Sequence, residues 1–268
     1  MSIASLKPTI SAAEQGIPSN VTAAVRYASG KAGVDFSYLL AKAAAESGFQ
    51  ADAKSSTSSA TGLFQFIEET WFDMIGQHGA KYGLVHYADA LKEGTADPEM
   101  KGRILALREN PRLSALMAAE YTRANQTVLN REVGGKIGDT KLYMAHFLGA
   151  GGAARFLNAM AENPDRQASE ILPHAARANR SIFYDRGQPK TLAAVYEDLR
   201  GRMAQAGNAA QAATTHNVRS DKPDPAAQHM RTVTAAALPR TFLPPLAMET
   251  QLFLARLPIP GESESATA

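Results

Sequence analysis

Glu46 closes an alanine-rich stretch, "AKAAAES", and is followed by the hydroxyl-rich "KSSTSSATG" and then by "GLFQF". At 100° per residue, Phe36, Leu39, Leu40 and Ala43 form one apolar stripe of a helix, and Glu46, seven residues beyond Leu39, falls near the same angle. The carboxyl is therefore expected at the edge of the buried face, in the last turn, beside the negative end of the helix dipole. Burial and dipole both favour the protonated carboxyl. A carboxyl that keeps its proton near neutrality can act as a general acid. Gln65 adds an amide between apolar neighbours, and the serines add hydroxyls with little bulk. Amides and hydroxyls around a lone acid suit a sugar, which is bound through many neutral hydrogen bonds. Taken singly, a Glu at a helix end more often makes a surface salt bridge, and a serine-rich loop is equally a flexible linker.

Common glycosidases use two carboxyl groups, about 5 Å apart when retaining and about 6.5–9.5 Å apart when inverting. The sequence offers no persuasive second one. Asp52 sits in the loop, where exposure is expected. Glu68 and Glu69 open the segment "EETWFDMIGQHG", where acids complement the helix N-terminus. Asp35 caps the far end of the Glu46 helix, about 16 Å away at 1.5 Å per residue.

The elements that must position Glu46 are helical. Asn20 can cap "VTAAVRYASGKAG", and Asp35 can cap "FSYLLAKAAAESG", which Gly48 ends. Asp97-Pro98 and Asn110-Pro111 each place a capping side chain before a proline at the first helical position. Asp139 or Thr140 opens "KLYMAHFLG", "GAARFLNAMAEN" stops at Pro164, and Thr191 starts "TLAAVYEDLRGRMAQ". No β-branched and aromatic run bounded by turns stands out, so the fold class expected is all-α. Three regions follow: an arm over residues 1–18, a helical domain over 19–205, and a low-complexity tail over 206–268. From 206 onward large apolar residues become scarce, and the composition predicts that the chain cannot bury enough surface to order itself. Leu246, Met248, Leu252, Phe253, Leu254 and Leu257 near the C-terminus form either a loosely packed tail or a docking segment.

The 268 residues, 45% hydrophobic and 20% charged, are ample for a globular core. A net charge of +2 with no Lys/Arg run gives no argument for nucleic acid. Cysteine is absent, so neither a disulfide framework nor a thiolate site can form. His78, His86, His146 and His174 show no metal-ligand spacing, so no metal or other cofactor is expected. His146, between Met144 and Phe147, reads as a hydrogen-bonded core or cleft histidine. "GAGGAAR" lacks the Lys-Ser/Thr and the preceding strand of a phosphate loop and reads as a small-residue bend near a cleft. Trp71, Phe72 and Ile75 could stack a sugar, but at helical spacing they read as core. The N-terminal stretch has no continuous apolar segment, so neither a signal peptide nor a membrane span is expected.

Three short stretches resemble the soluble lytic transglycosylase domain, a relative of goose-type lysozyme. The Glu-Ser pair at a helix end is Glu46-Ser47, the Gly-Leu-Met-Gln motif is Gly62-Leu63-Phe64-Gln65, and a serine in the intervening loop is Ser55. The family's Ala-Tyr-Asn-Ala-Gly stretch is matched by "AHFLGAGG", in which His146, Phe147 and Leu148 replace Ala, Tyr and Asn, as in a subset of the family. Tyr184 in "ANRSIFYD" is the match to a later tyrosine that faces the catalytic acid. The resemblance spans roughly residues 20–200 and leaves the tail outside.

The resemblance implies a lysozyme-like fold and cleavage of the β-1,4 bond between N-acetylmuramic acid and N-acetylglucosamine in peptidoglycan glycan strands, with formation of a 1,6-anhydromuramoyl end. Glu46 would be the acid/base. Ser55 and Gln65 would orient the sugar, with His146, Phe147 and Tyr184 as further substrate-binding residues. The alternatives are a hydrolytic muramidase of the same fold and a non-catalytic cell-wall-binding or scaffold protein. The expected location is the bacterial periplasm or cell envelope, by an export route the sequence does not display. The absence of a signal and the apolar C-terminal segment raise a further expectation, docking on a secretion or flagellar assembly.

Overall fold

The computed structural model describes residues 16–56 and 58–220, with side chains to residue 215. The first fifteen residues and the C-terminal segment from 221, which includes the expected docking motif, lie outside the described residues. Eleven helices and one two-stranded hairpin make up the described part. The helices are α1 (Ser19–Ala32), α2 (Phe36–Ser47), α3 (Glu68–His78), α4 (Val85–Lys92), α5 (Pro98–Ala106), α6 (Pro111–Glu132), α7 (Asp139–Glu162), α8 (Ala168–Ile171), α9 (Pro173–Ala178), α10 (Arg180–Phe183) and α11 (Leu192–Ser220). Two short 3-10 turns, Gly79–Tyr82 and Leu107–Glu109, link neighbouring helices. The hairpin, β1 (Tyr184–Asp185) with β2 (Gln188–Pro189), was not foreseen. Its two turn residues, Arg186 and Gly187, both have positive φ, which a tight two-residue hairpin requires.

The local capping chemistry explains most helix starts. Asp35 accepts from the Tyr38 amide at 2.9 Å, Asp97 from Met100 at 2.7 Å, and Asn110 from Arg112 and Leu113 at 3.0 and 3.1 Å. Thr191 Oγ1 accepts from Ala194 at 3.1 Å, and Gly48 ends α2 in the left-handed conformation. Two expected caps fail. Asn20 lies inside α1, whose first amides are met by the Pro18 carbonyl, and Gly138, not Asp139 or Thr140, is the cap position of α7. Proline fixes φ near the value a helix entry needs, so α1 starts without a side-chain cap.

The long α6 packs against α1 and α7, and α11 lies along α2 and α7. α2 is enclosed by this arrangement, with residues 38–44 all buried. Trp71 is in the core, its indole N–H donating to the Ile104 carbonyl at 2.7 Å, as its spacing predicted. The composition change at 206 does not end the ordered chain: α11 continues to Ser220. Leu192, Val195, Leu199, Met203, Ala206, Ala210 and Ala213 form one buried stripe at helical spacing. The expectation of disorder over 206–215 is thereby corrected. Alanines bury little area each, but they let helix axes approach closely, so large side chains are not needed there.

Glu120 is the buried acid of α6. Burial pushes its carboxyl up, but hydrogen bonds from Lys81, Tyr82 and Arg123 outweigh this and hold it at about 2. A carboxyl depressed in the fold contributes stability above its ordinary value of 4.5 and loses it as pH falls toward 2. Thermal melts at successive pH values should show this loss in wild type. Glu120→Gln should start less stable at neutral pH and converge on wild type in acid. A constant gap between the two would refute the assignment.

Candidate active site

Glu46 is brought to the surface of the core by the last turn of α2, and its side chain is 16% exposed. Its Oε1 lies 3.0 Å from Nε2 of His146 on α7. The other ring nitrogen, Nδ1, lies 3.0 Å from Nζ of Lys42, one turn before Glu46 on α2. Lys42 is fully buried. Its ammonium faces the rings of Phe64 and Tyr121, at 5.8 and 5.9 Å, and the Tyr121 ring meets the His146 ring edge-on. Burial lowers the Lys42 pKa to about 8 against the opposing pull of Glu46. Burial, aided by Lys42, also lowers that of His146 and keeps the imidazole neutral, with Glu46 opposing. Two phenols feel the Glu46 charge: Tyr38, raised by burial, Asp139 and Glu46, and Tyr143, raised by burial and then by Glu46.

Ser47 supplies the physical reason for a serine after the glutamate. Its hydroxyl lies 2.9 Å from the Leu63 carbonyl and 3.2 Å from that of Ala43, so it ties the helix end to the Gly62-Leu63-Phe64-Gln65 segment. That segment is folded tightly. Gly62 has φ 86°, and a methyl there would overlap the backbone carbonyl of Arg108. Gln65, also at positive φ, donates from Nε2 to the carbonyls of Ala53 and Gly62 at 3.0 and 2.9 Å. Arg108 reaches in from the other side, donating to the Ser59 and Phe66 carbonyls at 2.7 and 3.1 Å. Ser59 in turn accepts from the Glu68 amide at 3.3 Å, so the hydroxyl loop also caps α3.

A groove beside this loop is lined by Gln65, Phe66, Thr70, Tyr121, His146 and Gly149, among others. Gly149 has φ 72° and ψ 158°, a conformation essentially reserved for glycine, and it breaks α7 into two helices directly after the His146 turn. The glycine run was expected to bend near a cleft, and it does.

The six residues singled out in the sequence are placed differently. Glu46 and His146 are in contact, and Gln65 and His146 share the groove. Ser55 is half-buried in the loop, its amide donating to the Ala60 carbonyl at 2.9 Å. Phe147 turns into the core at 6% exposure, because its neighbour His146 occupies the groove side of the same helical turn. Tyr184 sits on the small hairpin with the Arg180 guanidinium 4.7 Å from its ring centre. Of the other acids weighed, Asp35 caps α2, Asp52 is exposed, and Glu68 and Glu69 stand in the first turn of α3. Glu120, which was not weighed, is held by three donors. Among the described residues, no hydrogen bond or ion pair joins Asp35, Asp52 or Glu120 to Glu46. Lys42 was missed, and Ser47, part of the matched motif, had been given no role of its own. The signal for Lys42 was present, a lone cation four residues before Glu46 on an otherwise apolar helix face.

The sequence model of the transglycosylase SLT domain matches residues 23–169, more than half of the chain. That span holds α2, the hydroxyl loop, the groove and all of α7. The chain belongs to this family of lysozyme-like domains, whose substrate is peptidoglycan.

Proposed function

We propose that this chain is a peptidoglycan lytic transglycosylase in which Glu46 is the single acid/base. The observation that carries the reading is the placement of Glu46: mostly shielded, at the end of a buried helix, and held at 3.0 Å from Nε2 of His146, which lines the neighbouring groove. Glu46 first gives its proton to the glycosidic oxygen as the bond from N-acetylmuramic acid to N-acetylglucosamine breaks. The muramoyl acetamido oxygen stabilises the anomeric carbon from the opposite side. Glu46, now a carboxylate, takes the proton of the C6 hydroxyl as that oxygen closes onto C1, and the acid form is restored. The substrate supplies the nucleophile, so no second carboxylate is required. Gln65, on the groove wall, would contribute its amide oxygen, and Ser55 its hydroxyl. The setting is the cell envelope, in the periplasm.

Digestion of purified sacculi tests this reading. The muropeptides released should carry anhydro ends, lighter by one water than reducing ends. Reducing ends alone would identify a muramidase, and an inactive wild-type protein would identify a scaffold.

A further inference from the structure

Lys42 is fully buried, with its ammonium facing the Phe64 and Tyr121 rings. A methionine would fill much the same volume without the cost of taking a charge out of water. What the lysine adds is a donor. Among the described residues its one hydrogen bond runs from Nζ to Nδ1 of His146, at 3.0 Å. An ammonium has hydrogens and no lone pair, so Nδ1 accepts, and the hydrogen of the neutral ring lies on Nε2. Nε2 is the nitrogen 3.0 Å from Glu46 Oε1. We propose that Lys42 and His146 are positioning residues that assign the two oxygens of Glu46: the lysine fixes the imidazole tautomer, and the imidazole N–H holds Oε1, leaving Oε2 to meet the sugar.

This inference rests on Glu46 being the acid/base and adds which of its oxygens does the work. The carbonyl oxygen of a carboxylic acid accepts a hydrogen bond better than its hydroxyl oxygen does. A donor at Oε1 therefore favours the proton on Oε2 when Glu46 is the acid, and leaves Oε2 bare when it is the base. The glycosidic oxygen takes the proton from Oε2, and Oε2 takes the C6 hydroxyl proton in return, so one oxygen serves both halves of the turnover. The opposite tautomer would turn the Nε2 lone pair toward Oε1, repel the carboxylate and release the side chain. The ring plane is held by the edge-on contact with Tyr121, centroids 6.0 Å apart. The lysine pKa of about 8 leaves it an ammonium at neutral pH, the state that this tautomer requires.

NMR of the full chain carrying isotope-labelled histidine, at neutral pH, reads the tautomer directly, and the resonances absent from His146→Gln identify this ring. Nδ1 should be bare and Nε2 protonated in wild type, and Lys42→Met should place a hydrogen on Nδ1. Turnover of soluble peptidoglycan strands reads the consequence. Lys42→Met should lower kcat on the order of 10- to 10²-fold, with KM changed by less than about twofold, because the lysine touches no sugar. His146→Leu should lose at least as much. His146→Gln presents an amide N–H that turns to the carboxylate with no tautomer to choose, and should keep several-fold more kcat than His146→Leu. Adding Lys42→Met to His146→Gln should then cost less than about twofold, whereas a lysine that merely packs would lower kcat equally in both backgrounds. Equal losses, a hydrogen on Nδ1 in wild type, or a His146→Gln no better than His146→Leu would each overturn the inference and leave Glu46 as the acid/base. An active Glu46→Gln would overturn the acid/base reading, and this inference with it.

Discussion

Glu46→Gln should lose turnover on purified sacculi by about 10²–10⁴-fold or more, while melting at the wild-type temperature. The substitution is nearly isosteric. An amide oxygen can still accept from His146 Nε2 across the present 3.0 Å, so packing and the tie between α2 and α7 survive. The group can no longer give or take a proton, and the described structure offers no second carboxylate bonded nearby to substitute for it. Muropeptide release and a thermal melt of the same preparation check the two halves of the expectation. A variant that keeps substantial activity would remove Glu46 from the chemistry.

Gly62→Ala should destabilise the fold by roughly 2–5 kcal/mol, combining the cost of a side chain at left-handed φ with that of displacing packed backbone. The obstacle is the carbonyl of Arg108, which is backbone and cannot rotate aside as a side chain would. Activity should fall with stability, because Gln65 and Ser47 both hydrogen-bond within the displaced segment. Denaturant unfolding gives the energy. Wild-type stability in this variant would mean that the loop can move away from residue 108 at little cost.

The parts of the molecule visible in the sequence are those set by local chemistry. Asp35, Asp97 and Asn110 meet amides two or three residues ahead, so caps of this kind could be identified without the fold. The Gly149 bend was legible for a similar reason: a glycine run signals backbone freedom wherever it lies. The helix under Glu46 followed from its apolar stripe. The residues that hold Glu46 were less visible because their partners are remote. His146 is 104 positions from Lys42, and Arg108 is 49 from Ser59. Lys42 stands out as a lone cation on an apolar helix face, but nothing near it in the chain names its partner. Phe147 and Tyr184 were assigned from motif likeness, which fixes a place in the chain but not the direction of a side chain. The alanine stripe of α11 was obscured because hydropathy rewards area, whereas helix proximity depends on smallness.

The hydroxyl-rich segment between α2 and α3 has no regular secondary structure, yet side chains grip its main chain at Ala53, Ser59, Gly62 and Phe66. At those four residues conformational freedom is therefore surrendered when the protein folds, before any glycan arrives. Association then carries a smaller entropic penalty, and a rigid strand meets a wall already in shape. Discrimination between glycans would arise from steric fit and not from the closing of a mobile flap.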